Sequence, residues 1–433
     1  MSSEAPRASR IGLAGLGTVG AGLLELLRAA PDYAPDGRRI EVSGVSARSR
    51  SRPRQADISM LRWFDDPVAL ATAPETDIFV ELMGGSDGPA KAAVEAALCA
   101  GKPVVTANKA LVAEHGLELA RLAEANGAPL LFEAAVMGGV PAVKLLREGL
   151  VGDGVDSVSG ILNGTCNYIL SEMEASGREF ADVLADAQRL GYAEADPVMD
   201  VGGFDAAHKI VILAAIAFGG APNFAAAEVE GIEAVSRLDI QLAAELGYRI
   251  KLIASAVREA QGARVQVAPA LVSLDHPLAR AGGALNALFI EGRRTGRLYI
   301  QGAGAGAGPT AAAVAADIAD VAVGTVRRPV FQRPAEGLVR LMPGDAEATM
   351  SKVYLRLVVR DRPGVIANVS EALAKASVSI DSFLQHPVGL TGLVPIVLTT
   401  QAASAGAVRD AVEHISALDA VTERPRTIRI LRG

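Results

Sequence analysis

The chain has 433 residues, half of them apolar and 21% charged, with a formal net charge of −7. It is too long for one ordinary core and too apolar for a disordered chain, so two or three packed domains are expected. The acidic balance argues against a surface that coats nucleic acid, and two cysteines without metal-ligand spacing, Cys99 and Cys166, exclude a disulfide scaffold or a zinc module.

The opening residues, MSSEAPRASR, hold no apolar segment, and the longest apolar run, 210–218, stops at Gly219-Gly220, short of a membrane span. A cytoplasmic protein with no membrane or nucleic-acid partner is expected. From residue 10 to about 135, short β-branched runs at 11–14, 40–45, 78–82, 103–106 and 129–132 alternate with helical stretches such as 91–100 and 111–126. That alternation predicts an α/β domain with a parallel sheet wound by helices.

Directly after the first run stands Gly15-Leu16-Gly17-Thr18-Val19-Gly20, then a helix with apolar Leu23, Leu24 and Leu27. A GxGxxG between a strand and a helix marks a Rossmann-type dinucleotide site, with Thr18 and Val19 part of the same loop. Gly15 serves the tight turn, Gly17 admits the pyrophosphate, and Gly20 allows close helix packing; an ordinary glycine-rich turn is the competing reading. The second run ends in GVSARSR with no carboxylate for a ribose. Arg48 and Arg50 instead offer partners for a 2′-phosphate, which favours NADP(H) over NAD(H), unless these arginines only solvate a loop.

Residues 136–304 read as an α+β substrate and dimerisation domain, with strands near 157–162, 265–272 and 298–301 and helices at 168–175, 181–190 and 204–218. On the last helix Asp205 and Lys209 are four residues apart and share a face. The spacing alone fits a surface ion pair, but the strongly apolar continuation at 210–213 argues for a pocket lining. The glycine-rich stretch 302–308 before Pro309-Thr310 reads as a loop feeding a helix, about 305–326, that packs back on the first domain. Segment 327–350 carries prolines and little periodicity, and reads as a linker. Residues 351–433 form a third unit, with strand 353–360, helix 364–376, strands 379–387 and 392–400, helix 405–416 and strand 426–431, a ferredoxin-like βαββαβ plan.

Three segments, Thr106-Ala107-Asn108-Lys109-Ala110, the run GILNGTCNY at 160–168, and LGYAEADP at 190–197 continuing to Asp200, Asp205 and Lys209, together resemble the homoserine dehydrogenase family. With the glycine-rich loop, the resemblance covers nearly all of 10–325, and the third unit resembles an ACT domain. It implies NAD(P)H-dependent interconversion of aspartate semialdehyde and homoserine, in threonine, methionine and isoleucine biosynthesis. It also implies Lys209 as acid/base, with Lys109 contacting substrate and cofactor and able to share the proton transfer. Glu194 and Asp205, with Asp200 nearby, would hold the substrate ammonium. Thr106, Gly191, Gly304 and Gly306 would neighbour the cofactor.

The segment 133–140 resembles the family's monovalent-cation loop, in which Glu133 and the carbonyls of Val136, Gly138 and Val140 surround sodium; a plain hinge with Glu133 as a helix cap is the alternative. Asp361-Arg362-Pro363-Gly364 resembles the strand-to-helix junction of ACT domains, which implies an amino-acid effector at Asp361, Gly364 and Asn368, threonine being the candidate. It also implies a homodimer or homotetramer; a purely structural pairing unit is the alternative. Two other functions compete. Aspartate-semialdehyde dehydrogenase chemistry needs a nucleophilic cysteine, for which Cys166 is the candidate in the substrate domain. A non-catalytic nucleotide- and amino-acid-sensing regulator needs no turnover, and does not require both Lys109 and Lys209.

Overall fold

The structure, a computed structural model, describes residues 7–54, 56–260, 262–326, 329–385 and 392–432. Residues 1–6 of the opening segment, the first two residues of the expected linker, and residues 386–387 of an expected strand lie outside the described residues.

Six strands form the first sheet: β1 (Ser9–Ala14), β2 (Ile40–Ser46), β3 (Trp63–Phe64), β4 (Ile78–Glu81), β5 (Val104–Thr106) and β6 (Leu130–Leu131). They are parallel throughout, in the order β3-β2-β1-β4-β5-β6. This is the dinucleotide-binding order, and its direction of winding reverses between β1 and β4, so a crevice opens beyond their carboxyl ends. The central strands are apolar because helices cover both faces: all four residues of β4 are buried. Helix Ala307–Val323 closes this domain from far along the chain. Its Ala311, Val314 and Ile318 join Leu23, Leu24 and Leu27 of helix Thr18–Ala29 in one core, and the Tyr33 hydroxyl donates to the Ala315 carbonyl at 2.9 Å.

The second sheet runs Gly296–Ala303, Leu285–Gly292, Val155–Ile161, Tyr248–Glu259 and Gly262–Ser273, antiparallel at each step. Helix Phe204–Phe218 packs against it and is buried along almost its whole length, which explains why its sequence is apolar on every side. The sheet does not end with this domain. Strand Gly262–Ser273 pairs in parallel with Arg426–Ile430 through Ala270 opposite Arg429 and Leu271 opposite Ile430. Val353–Arg360, Leu393–Thr400 and Ile380–Gln385 then continue it antiparallel. The α/β, α+β and βαββαβ readings are borne out, but the last two units share one ten-stranded sheet.

The segment read as a linker is no free tether over its described residues. Phe331 is fully buried, its ring 5.7 Å from that of Phe132, and Ala221 exchanges backbone hydrogen bonds with Val339 and Leu341. The third unit is fastened by a buried charge. Asp239, wholly inaccessible, closes a capping box with Ser236 at the start of helix Arg237–Glu245. Its Oδ1 also accepts from Arg356 Nε at 2.7 Å and from the Tyr354 hydroxyl at 3.1 Å. Burial first, then Asp239, pushes the Tyr354 phenol up, out of any physiological titration. Removing one partner of a buried charge pair costs about 3–5 kcal/mol, so Arg356→Leu is expected to lower the calorimetric Tm by several degrees. An unchanged Tm contradicts this fastening.

Candidate active site

The glycine-rich turn at the end of β1 is shaped by steric contact. Gly15 has φ +103°, and a Cβ there would lie 2.3 Å from the Leu82 carbonyl oxygen; one at Gly20 would lie 2.1 Å from the Gly15 carbonyl oxygen. A Cβ at Gly17 would meet nothing within 4 Å. Space is therefore left where a pyrophosphate has to approach. The helix that follows, Thr18–Ala29, has no side-chain cap and no acid in its first turn, so the N–H groups of Thr18 and Val19 and its positive dipole end face that space. These features fit a dinucleotide. Arg48 and Arg50 lie exposed just past β2, and Arg54 ties their loop by donating to the carbonyls of Ser49, Arg50 and Arg52.

Across the crevice the ends of β4 and β5 are held by Glu81, which is fully buried. Its carboxylate accepts from the Thr106 hydroxyl at 2.6 Å and from the N–H groups of Met83 and Gly84 at 2.7 and 3.1 Å. Burial outweighs these donors and pushes its pKa up. Thr106 Oγ1 then accepts the Asn108 N–H at 2.9 Å, and Asn108 caps helix Lys109–Ala125 through Leu111. Thr106 is thus occupied in building the turn that presents Lys109. The role of Glu81 escaped the sequence reading, in which it lay unremarked inside the apolar run 78–82.

Lys109 begins its helix and reaches Asp205 of the second domain, Nζ to Oδ1 at 2.9 Å. Lys209 Nζ lies 2.7 Å from Asp205 Oδ2 and donates to the Leu162 carbonyl at 2.7 Å. One carboxylate therefore grips both lysines. Asp200 is brought in from the preceding turn, and Asn163 Nδ2 donates to Asp200 Oδ1 at 2.7 Å and Asp205 Oδ2 at 2.9 Å. The environments drive the two ammonium groups apart. Asp205 holds Lys109 above its ordinary value, against burial, whereas burial and the charge of Lys109 carry Lys209 below it despite Asp205. Burial alone would raise Asp205, but the lysines hold it well below the carboxylate range; Asp200 is raised, chiefly by burial.

Glu194 is exposed on the loop after helix Phe180–Arg189, close enough for its charge to act on Lys109. Gly191, on the same loop, turns at φ +80°. Gly304 lies against the Asn286 side chain, and Gly306 begins helix Ala307–Val323 at φ +118°. The loop 133–140 touches this turn, since a Cβ on Gly138 would lie 2.7 Å from Gly304 backbone. Both Glu133 oxygens accept backbone N–H groups, from Val143 at 2.9 Å and Lys144 at 2.7 Å. Burial first, then Asp317, pushes its pKa up to about 7. Val136 and Val140 are buried, and the Val140 carbonyl accepts the Ala142 N–H at 2.8 Å. Asp361, Gly364 and Asn368 are exposed at the start of helix Val365–Lys375, in the C-terminal unit.

Cys166 is unsuited to nucleophilic attack. It is buried, its thiol donates to the Asp200 carbonyl at 3.1 Å, and burial and two carboxylates push its pKa far up. With a dinucleotide turn on one side of the crevice and one carboxylate holding two lysines on the other, the fold and site define a nicotinamide-dependent oxidoreductase.

Residues 15–133 match the family model described as "Homoserine dehydrogenase, NAD binding domain", 141–319 match "Homoserine dehydrogenase", and 353–415 match "ACT domain". A homoserine dehydrogenase of Synechocystis is 40% identical over 98% of this chain and 99% of its own. The crystal structure of one from Thiobacillus denitrificans superposes with a TM-score of 0.91 at 41% identity, covering 98% of both chains. A hyperthermophilic archaeal homoserine dehydrogenase, solved in complex with NADPH, gives 0.65 at 27% identity over 75% of this chain and all of its own. The chain belongs to the homoserine dehydrogenase family, and carries a C-terminal ACT domain.

The contrast between two glycines tests the nucleotide turn. Gly17→Ala is expected to leave the Tm unchanged yet weaken NAD(P)(H) binding about tenfold or more, because only the ligand needs that space. Gly20→Ala is expected to lower the Tm. Equal effects on fold and binding at both positions would overturn the assignment.

Proposed function

We propose that the enzyme moves its proton through Lys209, with Lys109 kept charged beside the reacting carbonyl, and that it uses NADP(H). The observation that carries the reading is the single carboxylate of Asp205 shared by two lysines whose pKa values shift in opposite directions. Groups pushed apart in this way separate a proton donor from a fixed charge. A bound nicotinamide supplies or takes up the hydride. Lys209 spends two of its three donors on Asp205 and Leu162, and the third can meet the oxygen on which negative charge develops as the aldehyde is reduced. In the reverse direction the neutral amine takes the hydroxyl proton, and its lowered pKa makes that form available at lower pH than for an ordinary lysine.

Glu194, Asp200 and Asp205 supply the negative field for the substrate ammonium, while Lys109, half-exposed at the crevice, meets substrate and cofactor. Exposed Arg48 and Arg50, with no carboxylate at the end of β2, support a 2′-phosphate and hence NADP(H). Glu133 with the carbonyls of Val136, Gly138 and Val140 is an oxygen-only donor set suited to sodium, which would offset the pairing of Glu133 with Asp317. Threonine is the effector proposed for Asp361, Gly364 and Asn368 of the ACT domain, with pairing of ACT domains in a homodimer or homotetramer and work in the cytoplasm. No helix among the described residues is long and apolar enough to cross a membrane.

The test is homoserine oxidation with NADP+ and NAD+, with and without threonine, for the natural chain, Lys209→Ala and Lys109→Ala. Lys209→Ala is expected to lose about 10²–10⁴ in kcat with cofactor Kd unchanged, and Lys109→Ala to raise KM as well. Full activity of Lys209→Ala would refute its role, faster turnover with NAD+ would refute the cofactor preference, and threonine without effect on rate or Tm would refute the effector.

A further inference from the structure

Asn163 touches neither end of the proposed proton path, yet its side chain decides the posture of the carboxylate at its centre. It links strand Val155–Ile161 to helix Gly164–Ser176 and is 4% exposed. Its Oδ1 accepts the Cys166 N–H at 2.7 Å, the N-cap bond of that helix. With the oxygen anchored there, Nδ2 faces two acids, 2.7 Å from Asp200 Oδ1 and 2.9 Å from Asp205 Oδ2. Reversing the amide would set its carbonyl against two carboxylates and lose the cap, so the orientation is fixed from both ends.

We propose that Asn163 is a positioning residue for the reaction: its amide locks the Asp205 carboxylate in the one posture that offers Oδ2 to Lys209 and Oδ1 to Lys109, and holds Asp200 beside it without neutralising either charge. The inference rests on the acid/base reading of Lys209. Two neighbouring carboxylates repel each other and need donors. A cation in this place would cancel the field meant for the substrate ammonium, whereas an amide gives two N–H bonds at no net charge. Aspartate and serine cap a helix equally well, but aspartate has no hydrogen to give and serine only one. Asparagine alone among the good caps fills both roles. The charges that act on Lys209 are Asp205 on its own helix, Lys109 and Asp200; Cys166 of helix Gly164–Ser176 feels Lys209 in turn, Glu194 acts on Lys109, and His208 is coupled to Glu114, Lys109 and Asp205.

The test compares Asn163→Asp and Asn163→Ser, both of which keep the cap, by circular dichroism melting and by kcat and KM for homoserine oxidation across pH, with Lys209→Ala alongside. Asn163→Ser is expected to melt near the natural chain and Asn163→Asp several degrees lower, because it buries a third carboxylate beside two others, while both lose about 10- to 100-fold in kcat with KM for NADP+ unchanged. A third carboxylate favours the charged lysine, so the acid limb of kcat in Asn163→Asp is expected to move to higher pH by about one unit; in Asn163→Ser it moves less. A natural kcat and pH profile in both variants, while Lys209→Ala is inactive, overturns the role of Asn163 alone. An active Lys209→Ala overturns the reading of Lys209 and this proposal with it. Should Asn163→Asp fail to fold, a natural kcat in folded Asn163→Ser is the overturning result.

Discussion

The Asp205 carboxylate joins the two halves of the proposed catalytic apparatus, because Lys109 comes from the nucleotide domain and Lys209 from the substrate domain. Three charges gathered in a largely buried place are costly, with an effective penalty of several kcal/mol per ion when unpaired. The arrangement persists because each charge is met: Asp205 by two ammonium groups and an amide, Lys209 by a carboxylate and a carbonyl. That net balance also drives the two lysines apart, since the same field that holds Lys109 charged cannot fully compensate the burial of Lys209.

The rest of the fold serves to bring these groups to one point. Glu81 organises the carboxyl ends of β4 and β5 and so the helix start at Lys109. The buried helix Phe204–Phe218 gives Asp205 and Lys209 a rigid mount, and Asn286 Nδ2 helps fix the Leu162 carbonyl at 3.2 Å. Helix Ala307–Val323 returns from far along the chain and packs on helix Thr18–Ala29 of the first domain. The C-terminal unit is joined to the substrate domain by the shared sheet, the Asp239 fastening and an ion pair between Arg426 and Glu230 at 2.9 Å. An effector bound there has a continuous mechanical connection to Tyr248–Glu259, whose Lys251 donates to Asn167 Oδ1 at 2.8 Å, on the helix that Asn163 caps.

Much of this was legible in the residues. The strand-to-helix placement of the glycine turn foretold the first sheet, and helix Phe204–Phe218 was read to its exact residues because its apolar run ends in two glycines. Strand β3 was invisible, since two residues carry no periodicity. Tyr248–Glu259 was passed over because Lys251 interrupts an otherwise buried strand, and its partner Asn167 is distant in sequence. The shared sheet could not be read at all: a parallel pairing of two residue pairs leaves no pattern in either strand. At the site, the i,i+4 spacing of Asp205 and Lys209 was visible, but their bond to Lys109 crosses about a hundred residues and belongs to the fold. Asn163 carried a signal, an asparagine at a strand-to-helix junction, that reads as a cap; its second role appears only once two acids are seen beside it.

The most direct test of the account is the pH dependence of kcat for homoserine oxidation in Asp205→Asn. Removing the carboxylate leaves Lys209 buried next to Lys109 with less to offset either effect, so its pKa falls further and the acid limb moves to lower pH while kcat drops. A limb that stays in place, with kcat near that of the natural chain, would mean that Asp205 does not govern the lysines, and the account would be wrong at its centre.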